Sequence, residues 1–179
     1  QAERDRLFET LTFERTRLEY VFQHMPSFVA VLRGPEHTFE MVNQAYSQLV
    51  GHREMVGKPV REALPEVVEQ GFVDLLNQVL ETGEPFQGRQ VPVQLTRKPG
   101  GAADEVYVDF AYLPLVEADG TRTGVVAHGY EVTEQVRARR EVEIVNQQLQ
   151  DNTVELEAQA EDLQKIAMAL EERSEEAEA

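Results

Sequence analysis

The chain of 179 residues contains no cysteine. That excludes disulfides, thiolate metal sites, cysteine nucleophiles and thioether-linked chromophores within it, and it fits a reducing compartment, so a cytoplasmic location is expected. Long hydrophobic runs are missing too. No stretch approaches the roughly 18–20 apolar residues that cross a bilayer, no signal peptide is visible, and no membrane contact is expected in this fragment. Basic residues are scarce: 17 Lys and Arg stand against 33 Asp and Glu, for a net charge of −16. Such acidity favours solubility and repels polyanions, so nucleic acid is not expected as a partner. The sequence starts at Gln1 without Met and stops inside a repeat, so both ends are expected to continue into a longer protein.

Glycine and proline are absent after Thr133, and there the sequence shows its clearest pattern. Leu149, Leu156, Leu163 and Leu170 recur every seven residues, led by Val142 and trailed by Ala177. A seven-residue apolar repeat keeps one seam of a helix toward a partner and predicts a left-handed coiled coil. With the leucines at heptad position a, Val145, Asn152, Gln159 and Ile166 fall at d. The two polar d residues weaken the seam and fix its register. Residues 133–179 are thus expected to form a helix of roughly 70 Å at 1.5 Å per residue. It should pair in a parallel homodimer through Val142, Val145, Leu149, Leu156, Leu163, Ile166 and Leu170.

Residues 1–25 read as an amphipathic helix with Leu7, Leu11, Leu18, Val21 and Met25 on one stripe, closed by Pro26. That stripe suits packing on the domain or a second dimer seam equally. Residues 26–132 are expected to hold the domain. Ser27–Leu32 and His37–Val42 form a hairpin around Gly34-Pro35. Asn43 caps a helix from Gln44 that Gly51 stops. A short helix follows near Val60–Leu64, then a longer one over Val67–Glu81 that Gly83 terminates. Phe86–Leu95, Glu105–Leu115 and Thr123–Tyr130 alternate as three strands. A strand pair, a helical crossover and a three-strand meander give an α+β fold: one five-stranded antiparallel sheet with short helices on one face.

Four stretches in this order carry a resemblance. They are Phe39-Glu40-Met41-Val42-Asn43-Gln44-Ala45-Tyr46, Leu49-Val50-Gly51-His52-Arg53-Glu54-Met55-Val56-Gly57-Lys58-Pro59-Val60, Glu81-Thr82-Gly83-Glu84-Pro85-Phe86, and Gly124-Val125-Val126-Ala127-His128-Gly129-Tyr130-Glu131-Val132-Thr133-Glu134. Over roughly residues 20–134 the chain resembles the PAS domain of bacterial sensory proteins, of the sensor histidine kinase or diguanylate cyclase type. The resemblance implies a signal junction at Glu131 and Thr133, where Glu131 stands in place of the family's Asp and pairs with a basic neighbour. Thr133 also suits a helix N-cap, with Glu134 complementing the dipole. A pocket between sheet and helices is implied, lined by Phe39, Met41, Tyr46, Phe72, Leu76, Val79, Val108, Phe110 and Val125. Packing alone explains these residues, so a side-chain-filled core is expected.

No cofactor is identified. Haem-binding relatives take an axial histidine from the long internal helix, which here has none, and thiol-adduct flavin chemistry requires a cysteine; both are argued against. His24, His37, His52 and His128 are dispersed, with no metal-ligand spacing. No phosphoacceptor box, Gly-Gly-Asp/Glu-Glu-Phe run or nucleotide-binding glycine motif is present, so the chain is expected to be non-catalytic. Two functions fit. One is a sensory and dimerisation module relaying a conformational change through the coiled coil to an output domain in the same full-length chain. The other is a constitutive dimerisation scaffold with a filled core and no ligand.

Overall fold

The computed structural model of the protein describes residues 2–178, with side chains described through Glu175. The chain divides into two units, 1–133 and 134–179.

The first unit opens with α1 (Ala2–His24), acidic at its start through Glu3 and Asp5. None of its residues is buried, and Leu7, Leu11 and Leu18 are each at least 60% exposed. The stripe is therefore mostly free of the domain. Its attachment lies near the C-terminal end, where Gln23 Nε2 donates to Val42 O at 3.3 Å and Leu18 and Phe22 border Met41.

Next come β1 (Phe28–Arg33) and β2 (Thr38–Val42). Asn43 then caps α2 (Gln44–Leu49): its Oδ1 accepts from Tyr46 N–H at 3.1 Å and from Val29 N–H at 2.8 Å, while Nδ2 donates to Ser27 O at 2.8 Å. One buried amide thus satisfies groups from the strand entry, β1 and the helix start, which is why it is fully enclosed at no cost in lost hydrogen bonds. The short α3 (Val60–Ala63) follows, and then α4 (Phe72–Thr82). The sequence places the start of that longer helix at Val67. Instead Pro65–Val67 form a single 3₁₀ turn, and Gly71, at φ 86°, interrupts the helical path.

The meander is β3 (Phe86–Leu95), β4 (Asp104–Val116) and β5 (Arg122–Glu131). The five strands pair antiparallel in the order β2-β1-β5-β4-β3, so the first hairpin docks on the last strand. Phe28, Ala30 and Leu32 of β1 alternate inward opposite Gly129, Ala127 and Val125 of β5. On β4, Val106, Val108 and Phe110 face the same way, against Leu76, Val79 and Phe72 of α4 in one continuous core.

The second unit belongs to α5, which spans Thr133–Glu178. Val142, Val145, Leu149, Leu156, Leu163, Ile166 and Leu170 are all more than half exposed. The side chain of Ala177 lies outside the described residues. Among the described residues no helix is long and apolar enough to cross a membrane.

Candidate functional site

Between the sheet and the helices lies a cavity of about 70 Å³. It occupies the space between sheet and helices that the resemblance implies. Six of the expected residues line it: Phe39, Tyr46, Phe72, Leu76, Val108 and Phe110. Val79 and Val125 are buried in the surrounding core without lining it. Met41 is elsewhere, 40% exposed and beside α1. The reason is a β-bulge. Leu32 pairs with Phe39 while Val31 pairs with Met41, so Glu40 is the extra residue and the alternation of β2 flips across it. Phe39 points in and Met41 points out.

Tyr112 belongs to the lining as well, although the sequence reading did not place it there. Its signal was present, because it continues the inward alternation of Val106, Val108 and Phe110 along β4. Tyr112 packs on Phe110 with ring centroids 4.9 Å apart, and Tyr46 sits between Phe28 and Phe39 at 5.9 and 5.8 Å. Burial pushes both phenols well above their ordinary value of 10; Arg53 pulls Tyr46 slightly back, and Tyr46 pushes Tyr112 further up. Both hydroxyls therefore stay protonated at neutral pH.

A polar staple closes the neighbouring edge. Arg53 donates to the carbonyls of Val50 at 3.0 Å, Ala63 at 3.2 Å and Thr96 at 2.7 Å, and forks both carboxylate oxygens of Glu66. Thr96 N–H donates back to Glu66 Oε1 at 3.1 Å. Burial alone would raise the Glu66 carboxyl; the bonds from Arg53 and from backbone N–H groups outweigh it and hold it below the ordinary 4.5. A depressed carboxyl stabilises the fold above its unfolded value and loses that contribution as pH falls through the folded value. Melting temperature should accordingly fall as pH drops below 4.5. Glu66→Gln should start lower at neutral pH and fall less over the same range. Equal slopes in melting curves recorded between about pH 6 and pH 3 would remove Glu66 from the acid response.

The exit of the sheet is a second cluster. Arg97, two residues past β3, donates to Glu131 Oε1 at 2.7 Å, and Thr133 Oγ1 donates to the same oxygen at 3.0 Å. Tyr107 N–H on β4 donates to Thr133 Oγ1 at 3.0 Å, and Val132 N–H donates to Tyr107 O at 2.7 Å. Thr133 is the first residue of the helix, as the expected range 133–179 has it, and its hydroxyl is engaged with Glu131 and β4. The exit thus ties together the segment just past β3, the first part of β4 and the end of β5. Arg97 also leans on α2's end: its carbonyl oxygen approaches Gly51 so closely that a Cβ there would lie 2.0 Å away.

The histidines remain dispersed. His37 is buried, with Nε2 donating to Asn77 Oδ1 at 2.7 Å and Nδ1 unpartnered. His128 alternates with the cavity-lining Ala127 and so faces the opposite side of the sheet. Among the described residues no group of three or more His, Cys, Asp or Glu is placed to hold a metal ion.

Residues 22–137 match the family described as the PAS fold. Similar solved structures include VqmA of Vibrio cholerae as a dimer in the absence of target DNA, at 20% identity and TM-score 0.54, covering 67% of this chain and 52% of that one. An RNA-binding Light-Oxygen-Voltage receptor aligns at 16% identity and TM-score 0.56, over 74% of this chain and 36% of that one. The PAS domain of a protein from Colwellia psychrerythraea aligns at 13% identity and TM-score 0.52, over 69% of this chain and 98% of that one. This chain thus spans about half of VqmA and about a third of the receptor. At these identities the likeness is one of fold.

The exclusion of nucleic acid as a partner does not survive these comparisons. VqmA, which shares the fold, has been solved in a complex with ligand and DNA. The charge argument failed because net charge describes this chain's own surface only. It says nothing of the assemblies in which such a fold takes part.

Proposed function

The chain belongs to the PAS fold family, and on that premise we propose that it is a sensory and dimerisation module. It passes a conformational change from the PAS core through a parallel coiled coil to an output domain elsewhere in the same protein. Histidine kinase and diguanylate cyclase outputs are the two types the resemblance suggests. Residues 1–179 themselves supply binding and transmission, not catalysis, and act in the cytoplasm. The exit cluster carries this reading: Glu131 holds Arg97 and Thr133 at one oxygen, so a shift of the sheet is felt at the first residue of α5. The exposed heptad seam supports the homodimer, since a helix of this kind gains its stability from a partner. The cavity favours sensing over the filled-core scaffold.

The lack of native cysteine allows clean labelling at one introduced position. With spin labels at Gln148→Cys, two copies should give one defined distance across the seam. Arg97→Ala should shift or broaden it by on the order of 1–2 Å, the scale of helix shifts in signalling transitions. The two side chains are about a third exposed and so screened by solvent, and the variant should cost only up to about 1 kcal/mol of stability. An absent interchain distance sinks the dimer; an identical distance in the variant sinks the relay through Glu131.

A further inference from the structure

Gln70 immediately precedes Gly71, the left-handed N-cap of α4, which has no side chain with which to cap the helix. The entry of α4 is instead tied to the sheet by the Gln70 carboxamide. Its Oε1 accepts from Gln94 N–H at 2.8 Å, and its Nε2 donates to Gln94 O at 2.9 Å and to Glu66 O at 2.7 Å. Gln94 belongs to β3, an edge strand with β4 as its neighbour; among the described residues no strand lies on its other side. Main-chain groups along such an edge need partners from elsewhere. At Gln94 one side-chain amide takes the place of the missing strand. Two residues to either side, Pro92 has no N–H to pair, and Thr96 N–H donates to Glu66 Oε1 at 3.1 Å.

From Gln94 the hydrogen bonds continue toward the exit. Gln94 lies opposite Glu105 on β4, and its Nε2 donates to Glu105 Oε2 at 3.1 Å. Glu105 Oε1 accepts from the Tyr107 hydroxyl at 2.7 Å. Tyr107 is the residue whose main chain seats the exit, through Thr133 Oγ1 and Val132 N–H. A continuous line of hydrogen bonds thus runs from the entry of α4, the helix that packs Phe72, Leu76 and Val79 into the core, to the first residue of α5. It uses neither the Arg97 nor the Glu131 side chain, and meets them at Thr133.

We infer that Gln70 is a positioning residue for the exit. It fixes β3 against the entry of α4 and, through Gln94, Glu105 and Tyr107, sets the seat of Thr133. A displacement of α4 within the core reaches α5 by this path as well as through Arg97. Glutamine suits the task because its amide both donates and accepts, as the peptide groups of an added strand would. The inference rests on the sensory reading above and names how the helical layer addresses the exit.

The test follows hydrogen exchange at single amides of the whole chain. Val132 N–H, bonded to Tyr107 O, reports the exit; Asn43 N–H, bonded to Val29 O at 3.0 Å beside the opposite edge of the sheet, reports the rest of the domain. Gln70→Ala should speed exchange at Val132 about fivefold, the loss of one hydrogen-bonded tie, and leave Asn43 unchanged. In a Tyr107→Phe background, which lacks the hydroxyl bond to Glu105, Gln70→Ala should add nothing further. An unmoved Val132, an equal acceleration at Asn43, or a full effect that persists in the Tyr107→Phe background each overturns the assignment. The two readings fail separately. Faster Val132 exchange in Gln70→Ala, beside an identical spin-label distance in Arg97→Ala, keeps the positioning role and sinks the relay through Glu131. An unmoved Val132 sinks the positioning role and leaves the relay to its own distance test.

Discussion

Changing Leu156 and Leu163 together to Asp should turn the protein into a monomer of 20.3 kDa by light scattering, where the unaltered chain gives twice that mass. Both leucines sit at heptad position a and are 64% and 67% exposed in the single chain. A dimer would bury them against the same residues of the partner copy, and each leucine so buried contributes roughly 1.5–3 kcal/mol. Four leucines are lost per dimer, and Asp then faces Asp across the seam. The combined change is many times the 1.4 kcal/mol that alters an equilibrium tenfold. Val154→Asp supplies the control, because Val154 is 66% exposed but lies off the seam. It should leave the mass doubled. A double variant that stays dimeric would move the association to another surface, with α1 the first to examine.

Gly51→Ala should be the most damaging of the small substitutions in the domain. Gly51 has φ 77°, and a Cβ built there meets the Arg97 carbonyl oxygen at 2.0 Å and its Cα at 2.7 Å. Both obstacles are backbone, so no rotamer change relieves them. Left-handed strain of about 1–2 kcal/mol adds to an overpacking cost of about 1–3 kcal/mol. A loss of that size is a large share of an ordinary domain's stability and should lower the melting temperature by on the order of 10 °C. Gly57→Ala separates the two effects, since Gly57 has φ 84° with nothing within 4 Å of its built Cβ. It should show the strain alone. If both variants melt together, the contact between α2's end and Arg97 is not the rigid one described.

Much of this arrangement was legible in the sequence because local chemistry fixes it. Asn43 before Gln44 announces a cap, the Lys98–Gly101 turn separates two alternating runs, and Gly83 ends α4 where its carbonyls need a left-handed residue. The heptads of α5 needed only counting. What escaped depended on partners remote in sequence. The bulge that turns Met41 outward is set by pairing with Val31, and nothing in the alternation of residues 38–42 reveals it. Glu131 announced a basic partner, but Arg97, 34 residues earlier, is found only by folding the meander. The cavity escaped for a different reason. Apolar residues at core spacing do not say whether they close the space among them, even where one of them, such as Tyr112, is readable as inward-facing.

The strand end at Thr96-Arg97 touches both ends of the proposed device. On one side its carbonyls meet Gly51 and Arg53, at the foot of the helix that carries Tyr46; on the other its guanidinium holds Glu131. Coupling through such a segment is reciprocal by thermodynamic necessity. Whatever factor a signal received in the core imposes on the balance of states at Glu131, a change imposed at Glu131 returns to the core. An output domain that holds α5 in one state therefore sets the threshold at which its own sensor responds.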